Sequence, residues 1–80
     1  MNIADRVCAI FMEELALDRE DVTPQLAYNS IPEWDSVAHM HLTMSLEETF
    51  DLTFGDTEIA ELTSVEKIIV AIERRTGQSA

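Results

Sequence analysis

Ser36 stands between Asp35 and Val37, with His39 and His41 close behind it, and these are the residues of the chain whose types and spacing could do chemistry. A serine with a histidine three positions on could form a nucleophile and base on one helical face. No Gly-rich turn, oxyanion hole or enclosing pocket is visible around that pair, which disfavours hydrolysis. His39 and His41 would lie about 200° apart on a helix, so they cannot share a metal ion, and no Cys or acidic residue completes a ligand set. The acidic stretches 18–21 and 51–58 lack Asp or Asn at the first, third and fifth places with Gly at the sixth, which excludes an EF-hand. Weak divalent binding that relieves self-repulsion is compatible with them. Cys8, among Val7, Ile10 and Phe11, reads as a small buried hydrophobe. For Ser36 the remaining chemistry is modification. Asp35 has the character of an N-cap, its carboxylate accepting a first-turn N–H, and that leaves the serine hydroxyl at the first helical position free to point outward.

The elements that must position this serine follow from periodicity. Ile3, Val7, Ile10, Phe11 and Leu15 recur at helical steps, which predicts a helix over 3–17 capped by Asn2. Residues 18–35 have no sustained period and contain two prolines, so they predict a long loop pinned by Val22, Leu26, Ile31 and Trp34. Loops of that length in compact domains usually serve a function. From Val37 to Phe50 neither Gly nor Pro occurs, and a helix from Ser36 to about residue 51 is expected. Gly55 breaks it, and Asp56 is expected to cap a short turn running through Ile59 to about Leu62. Thr63 and Glu66 have the spacing of a capping box ahead of Val65, Ile68, Ile69 and Ile72. Arg74 and Arg75 suit the negative end of that last helix, and Gly77 stops it. No strand or internal repeat is visible. The expected fold is all-α, a small four-helix bundle with three longer helices, a short third one and a long first loop.

The helix beginning at Ser36 carries two apolar rows. Leu42, Leu46 and Phe50 form one; Val37, Met40 and Met44 form another about half a turn away. Leu and Phe are the natural core choice. The second row is then either a surface for partners, to which flexible methionines are suited, or an apolar face that the loop 18–35 folds over and buries. Pattern alone leaves both open.

Composition narrows the function classes. Eighty residues are expected to make one domain, 1–80, with a single modest core. Sixteen Asp and Glu against five Lys and Arg give a net charge of −11, which opposes binding to nucleic acid and steers basic proteins toward the surface. At 46% hydrophobic the chain is too apolar for a disordered acidic tail. One cysteine precludes an internal disulfide and agrees with a reducing compartment. No apolar run spans a bilayer, so the expected location is cytoplasmic and the expected state a monomer without membrane insertion.

Trp34-Asp35-Ser36-Val37 resembles the Asp-Ser-Leu motif of acyl carrier proteins. The similarity runs on through Leu42, Met44, Leu46, Glu47, Glu48 and Phe50 to Thr63, Ser64 and Val65, and with length, acidity and loop order it covers nearly the whole chain. The resemblance implies a carrier that is not an enzyme, with 4′-phosphopantetheine joined to Ser36 through a phosphodiester and an acyl or aminoacyl group held on its thiol. It implies that Asp35 neighbours the attachment point, and that Val37, Met40, Met44, Glu47 and Glu48 meet partner enzymes. Those partners would be a phosphopantetheinyl transferase and a ligase or synthase with a basic docking surface. It also implies that Phe54, Ile59 and Leu62 line a cleft between the second and third helices. Val37 stands where the motif usually has Leu, and Ala38 and His41 occupy places that are often acidic. Together with Trp34 these departures point to a discrete carrier of a specialised polyketide, aminoacyl or lipid-modifying pathway. The competing class is an acidic interaction module without a prosthetic group.

Overall fold

A computed structural model describes residues 2–77. Four helices follow in order: α1 (Ile3–Leu15), α2 (Ser36–Phe50), α3 (Asp56–Glu61) and α4 (Val65–Thr76), with one 3₁₀ turn at Arg19–Asp21 in the long first loop. The predicted all-α bundle with a short third helix is the architecture found. No helix among the described residues is long and apolar enough to cross a membrane.

Three of the four starts are set by a side chain. Asn2, Asp35 and Ser64 each accept the N–H three residues on, at 2.8, 2.9 and 3.1 Å. Two expected caps sit one residue away from the observed ones. Gly55, not Asp56, precedes α3, which has no side-chain cap, and Ser64, not Thr63, caps α4. The Thr63 hydroxyl instead accepts from Lys67 Nζ at 3.1 Å, because residue 64 is the one whose extended backbone aims its oxygen at the first turn.

The first helix ends two residues earlier than its apolar pattern predicts. Ala16 takes a left-handed conformation (φ 54°), and Leu17 returns its N–H to the Met12 carbonyl. Asp51 ends α2 in the same way (φ 53°), with Leu52 donating to Glu47. Six-to-one bonds of this kind satisfy carbonyls the helix leaves open, and both following leucines pack on the core.

α1 packs against α2 and α4. Their shared core holds Val7, Phe11, Trp34, Leu42, Leu46, Ile68 and Ile72, all at 0% exposure. Phe50, expected inside, is half-buried, because Arg6 of α1 lies over its ring at 4.4 Å while donating to the Thr49 carbonyl. The first loop does not cross the outer face of α2. Main-chain bonds tie it to the α3–α4 junction: Tyr28 N–H to Thr63 O, Val65 N–H to Leu26 O, and Glu66 N–H to Pro24 O. Ala27 and Ser64 thereby form an isolated antiparallel bridge that periodicity does not reveal.

Candidate functional site

The start of α2 is built from three consecutive residues with different tasks. Trp34 is completely buried and anchors the incoming chain, its ring edge-on to Phe11 with centroids 4.9 Å apart. Asp35 is extended (φ −103°, ψ −173°); its carboxylate accepts the Ala38 N–H at 2.9 Å and its carbonyl accepts the His39 N–H at 2.8 Å. Ser36 follows as the first helical residue and is exposed. Because Asp35 takes the capping bond, the Ser36 hydroxyl has no hydrogen-bond partner among the described residues. Its position at a helix N-terminus, beside unbonded first-turn N–H groups, suits an anionic substituent such as a phosphodiester.

His39 is oriented away from any role as a base for Ser36. Its Nδ1 lies 3.0 Å from Trp34 Nε1, and its Nε2 lies 3.0 Å from the Ile59 carbonyl. Indole can only donate, so Nδ1 accepts, and the single proton of the neutral ring sits on Nε2 and is donated to Ile59. Both nitrogens are occupied within the fold. That removes the serine–histidine pair, and with it any ion shared with His41, which is exposed. A buried indole N–H requires a partner, and a histidine five residues on is within reach of it once a helix intervenes, so the sequence does hold a signal for this contact.

The outward row of α2 is uncovered. Val37, Met40 and Met44 are 62%, 63% and 60% exposed, which overturns the alternative in which the first loop buries them. Glu48 is exposed, whereas Glu47 is half-buried and its Oε2 accepts the Phe54 N–H at 2.8 Å, bracing the turn after α2.

Phe54 and Leu62 belong to the core, and Ile59 is half-buried with its carbonyl held by His39. A groove of about 450 Å³ opens between α3 and α4, walled by Leu62, Val70 and Ala71 and by Glu58, Glu61 and Arg74. This groove is not the cleft expected between α2 and α3; of the three residues named for that cleft, Leu62 borders the α3–α4 groove. Cys8 is half-buried, less enclosed than its sequence neighbours suggest, with Sγ 4.0 Å from Met12 Sδ. Arg75, read from sequence as a complement to the helix dipole, also bonds Glu58 at 2.7 Å and the Thr53 carbonyl. Nothing local in the sequence points to those partners.

A family model described as "Phosphopantetheine attachment site" matches residues 5–72, a span running from the first turn of α1 into α4 and including the Asp35–Ser36 corner.

Proposed function

This chain belongs to the phosphopantetheine attachment family of carrier proteins, and we propose that Ser36 is its attachment residue. A member of this family is a non-catalytic carrier with covalently attached 4′-phosphopantetheine, and its general partners are phosphopantetheinyl transferases and synthases. The observation that carries the choice of Ser36 is its exposed hydroxyl at the first position of α2, left unbonded because Asp35 performs the capping.

In this reading residues 1–80 act as one carrier domain. The Ser36 oxygen attacks the phosphorus of the pantetheine-linked phosphate of coenzyme A; the phosphoanhydride bond to the nucleotide breaks, and the hydroxyl proton passes to a base of the transferase. When attached, the group supplies a thiol on a flexible arm, which holds an acyl or aminoacyl unit as a thioester. The protein's own contribution is an address and a raised effective concentration. Val37, Met40 and Met44 present an apolar strip, and Glu48 with the overall charge of −11 draws a basic ligase or synthase toward it. Glu47 acts indirectly, by holding the turn that follows α2. A small apolar patch with charge steering favours fast, reversible encounters, which a carrier visiting several enzymes in turn requires.

The test is intact-mass spectrometry after incubation with coenzyme A and a phosphopantetheinyl transferase. A single phosphopantetheine adduct on the wild type and none on Ser36→Ala is the expected result. An adduct on the Ser36→Ala protein contradicts the assignment.

A further inference from the structure

α3 is the element least able to hold itself in place. It has six residues, none of them buried, and Gly55 ahead of it supplies no side-chain cap. A helix that short has no stability of its own. Two side chains from other helices grip it: Arg75 bonds Glu58, and His39 donates to the carbonyl of Ile59 near its last turn. The second grip also serves the start of α2. The same imidazole accepts the indole N–H of Trp34, and its own main-chain N–H donates to Asp35, so it reaches both residues that immediately precede Ser36. Aromatic neighbours fix the plane of the ring. Trp34 stacks at 5.9 Å with 29° between planes, and Tyr28 meets it edge-on at 5.3 Å.

The two side-chain bonds depend on each other through one rigid ring. If α3 moves away, Nε2 loses its acceptor, the ring is freer to turn, and the fully buried Trp34 N–H loses the nitrogen it donates to. If Trp34 shifts, the same ring no longer points at Ile59. We propose that His39 is a positioning residue that couples α3 to the segment presenting Ser36, so that displacement of α3 is felt at the modification site. The functional half of this statement rests on Ser36 being the attachment residue; the mechanical half does not.

The experiment therefore has two arms, both on the full chain. The variants are His39→Phe, which keeps a ring but neither bond, and His39→Gln, which keeps one acceptor and one donor on a single planar group. Trp34→Phe removes the indole donor from the other side of the ring and serves as an independent variant should His39→Phe fold poorly. The first arm is residue-resolved amide hydrogen exchange. In His39→Phe and in Trp34→Phe the amides of residues 59–62 should exchange at least about tenfold faster relative to those of Val7 to Phe11, with His39→Gln near wild type. The second arm is steady-state kinetics with coenzyme A and a phosphopantetheinyl transferase. The KM for the His39→Phe carrier should rise several-fold with kcat retained, and His39→Gln should restore it. Wild-type exchange in α3 in both Phe variants overturns the proposal, as does equal acceleration in all helices without rescue by Gln. An unchanged KM in His39→Phe overturns its functional half. If wild-type protein is not modified at all, the attachment reading fails instead, and the exchange arm alone decides the coupling.

Discussion

At the scale of single residues, the attachment proposed at the α2 start depends on a division of labour between neighbours. Trp34 anchors, Asp35 caps, and Ser36 is left with a free hydroxyl. In the proposed role that oxygen has to be reached by an enzyme, and Asp35 relieves it of capping the helix end. The same logic governs α4, where Ser64 caps and Thr63 does not. Ser64→Ala should lower stability by about 0.5–2 kcal/mol. Thr63→Ala should stay within about 0.5 kcal/mol of wild type, since its hydroxyl meets only the exposed Lys67. Urea unfolding of the two variants checks the pair, and a larger loss from Thr63→Ala would reverse the cap assignment.

At the scale of elements, α2 is apolar on two sides for two reasons. Leu42 and Leu46 are sealed in the core at 0% exposure, while Val37, Met40 and Met44 remain about two-thirds open. Leu46→Ala should cost about 2–5 kcal/mol, from lost transfer energy and the cavity it leaves. Met44→Ser should cost no more than about 0.5 kcal/mol and yet raise the KM for modification by a transferase, because in the proposed reading a partner covers the exposed part of that side chain. Chemical denaturation beside transferase kinetics separates these effects. A large stability loss from Met44→Ser would mean that this row is packed in solution.

For the molecule as a whole, charge is the dominant feature. Of the five cationic side chains, Arg6, Arg19, Lys67 and Arg75 are each engaged internally, with Thr49, Asp5, Thr63 and Glu58 respectively. The net charge of −11 is what remains after every one of these cations is counted, and it repels like-charged partners and strains the folded state. Raising sodium chloride from about 0.02 to about 0.5 M shortens the screening length several-fold, and the melting temperature should rise by a few degrees. Magnesium chloride should act at lower concentration. Thermal denaturation followed by circular dichroism makes the measurement, and a melting temperature indifferent to both salts would refute self-repulsion as a significant cost.

Much of the fold and the position of the candidate serine were legible before any coordinates, since helical period, the caps at Asn2 and Asp35 and the stop at Gly77 all depend on residues within one turn of each other. The α2 rows were legible as rows but not as inside and outside. Two apolar stripes of similar size are equivalent to a local pattern, and main-chain bonds from Pro24, Leu26 and Tyr28 to residues 63–66 send the loop elsewhere. Distant partners were likewise decided by tertiary structure alone: Glu47 on the Phe54 amide, Arg75 on Glu58, and His39 on the Ile59 carbonyl. Spacing along the chain encodes contacts made within a helix turn. Contacts between segments far apart in the sequence depend on how the helices pack, and only the assembled core sets that.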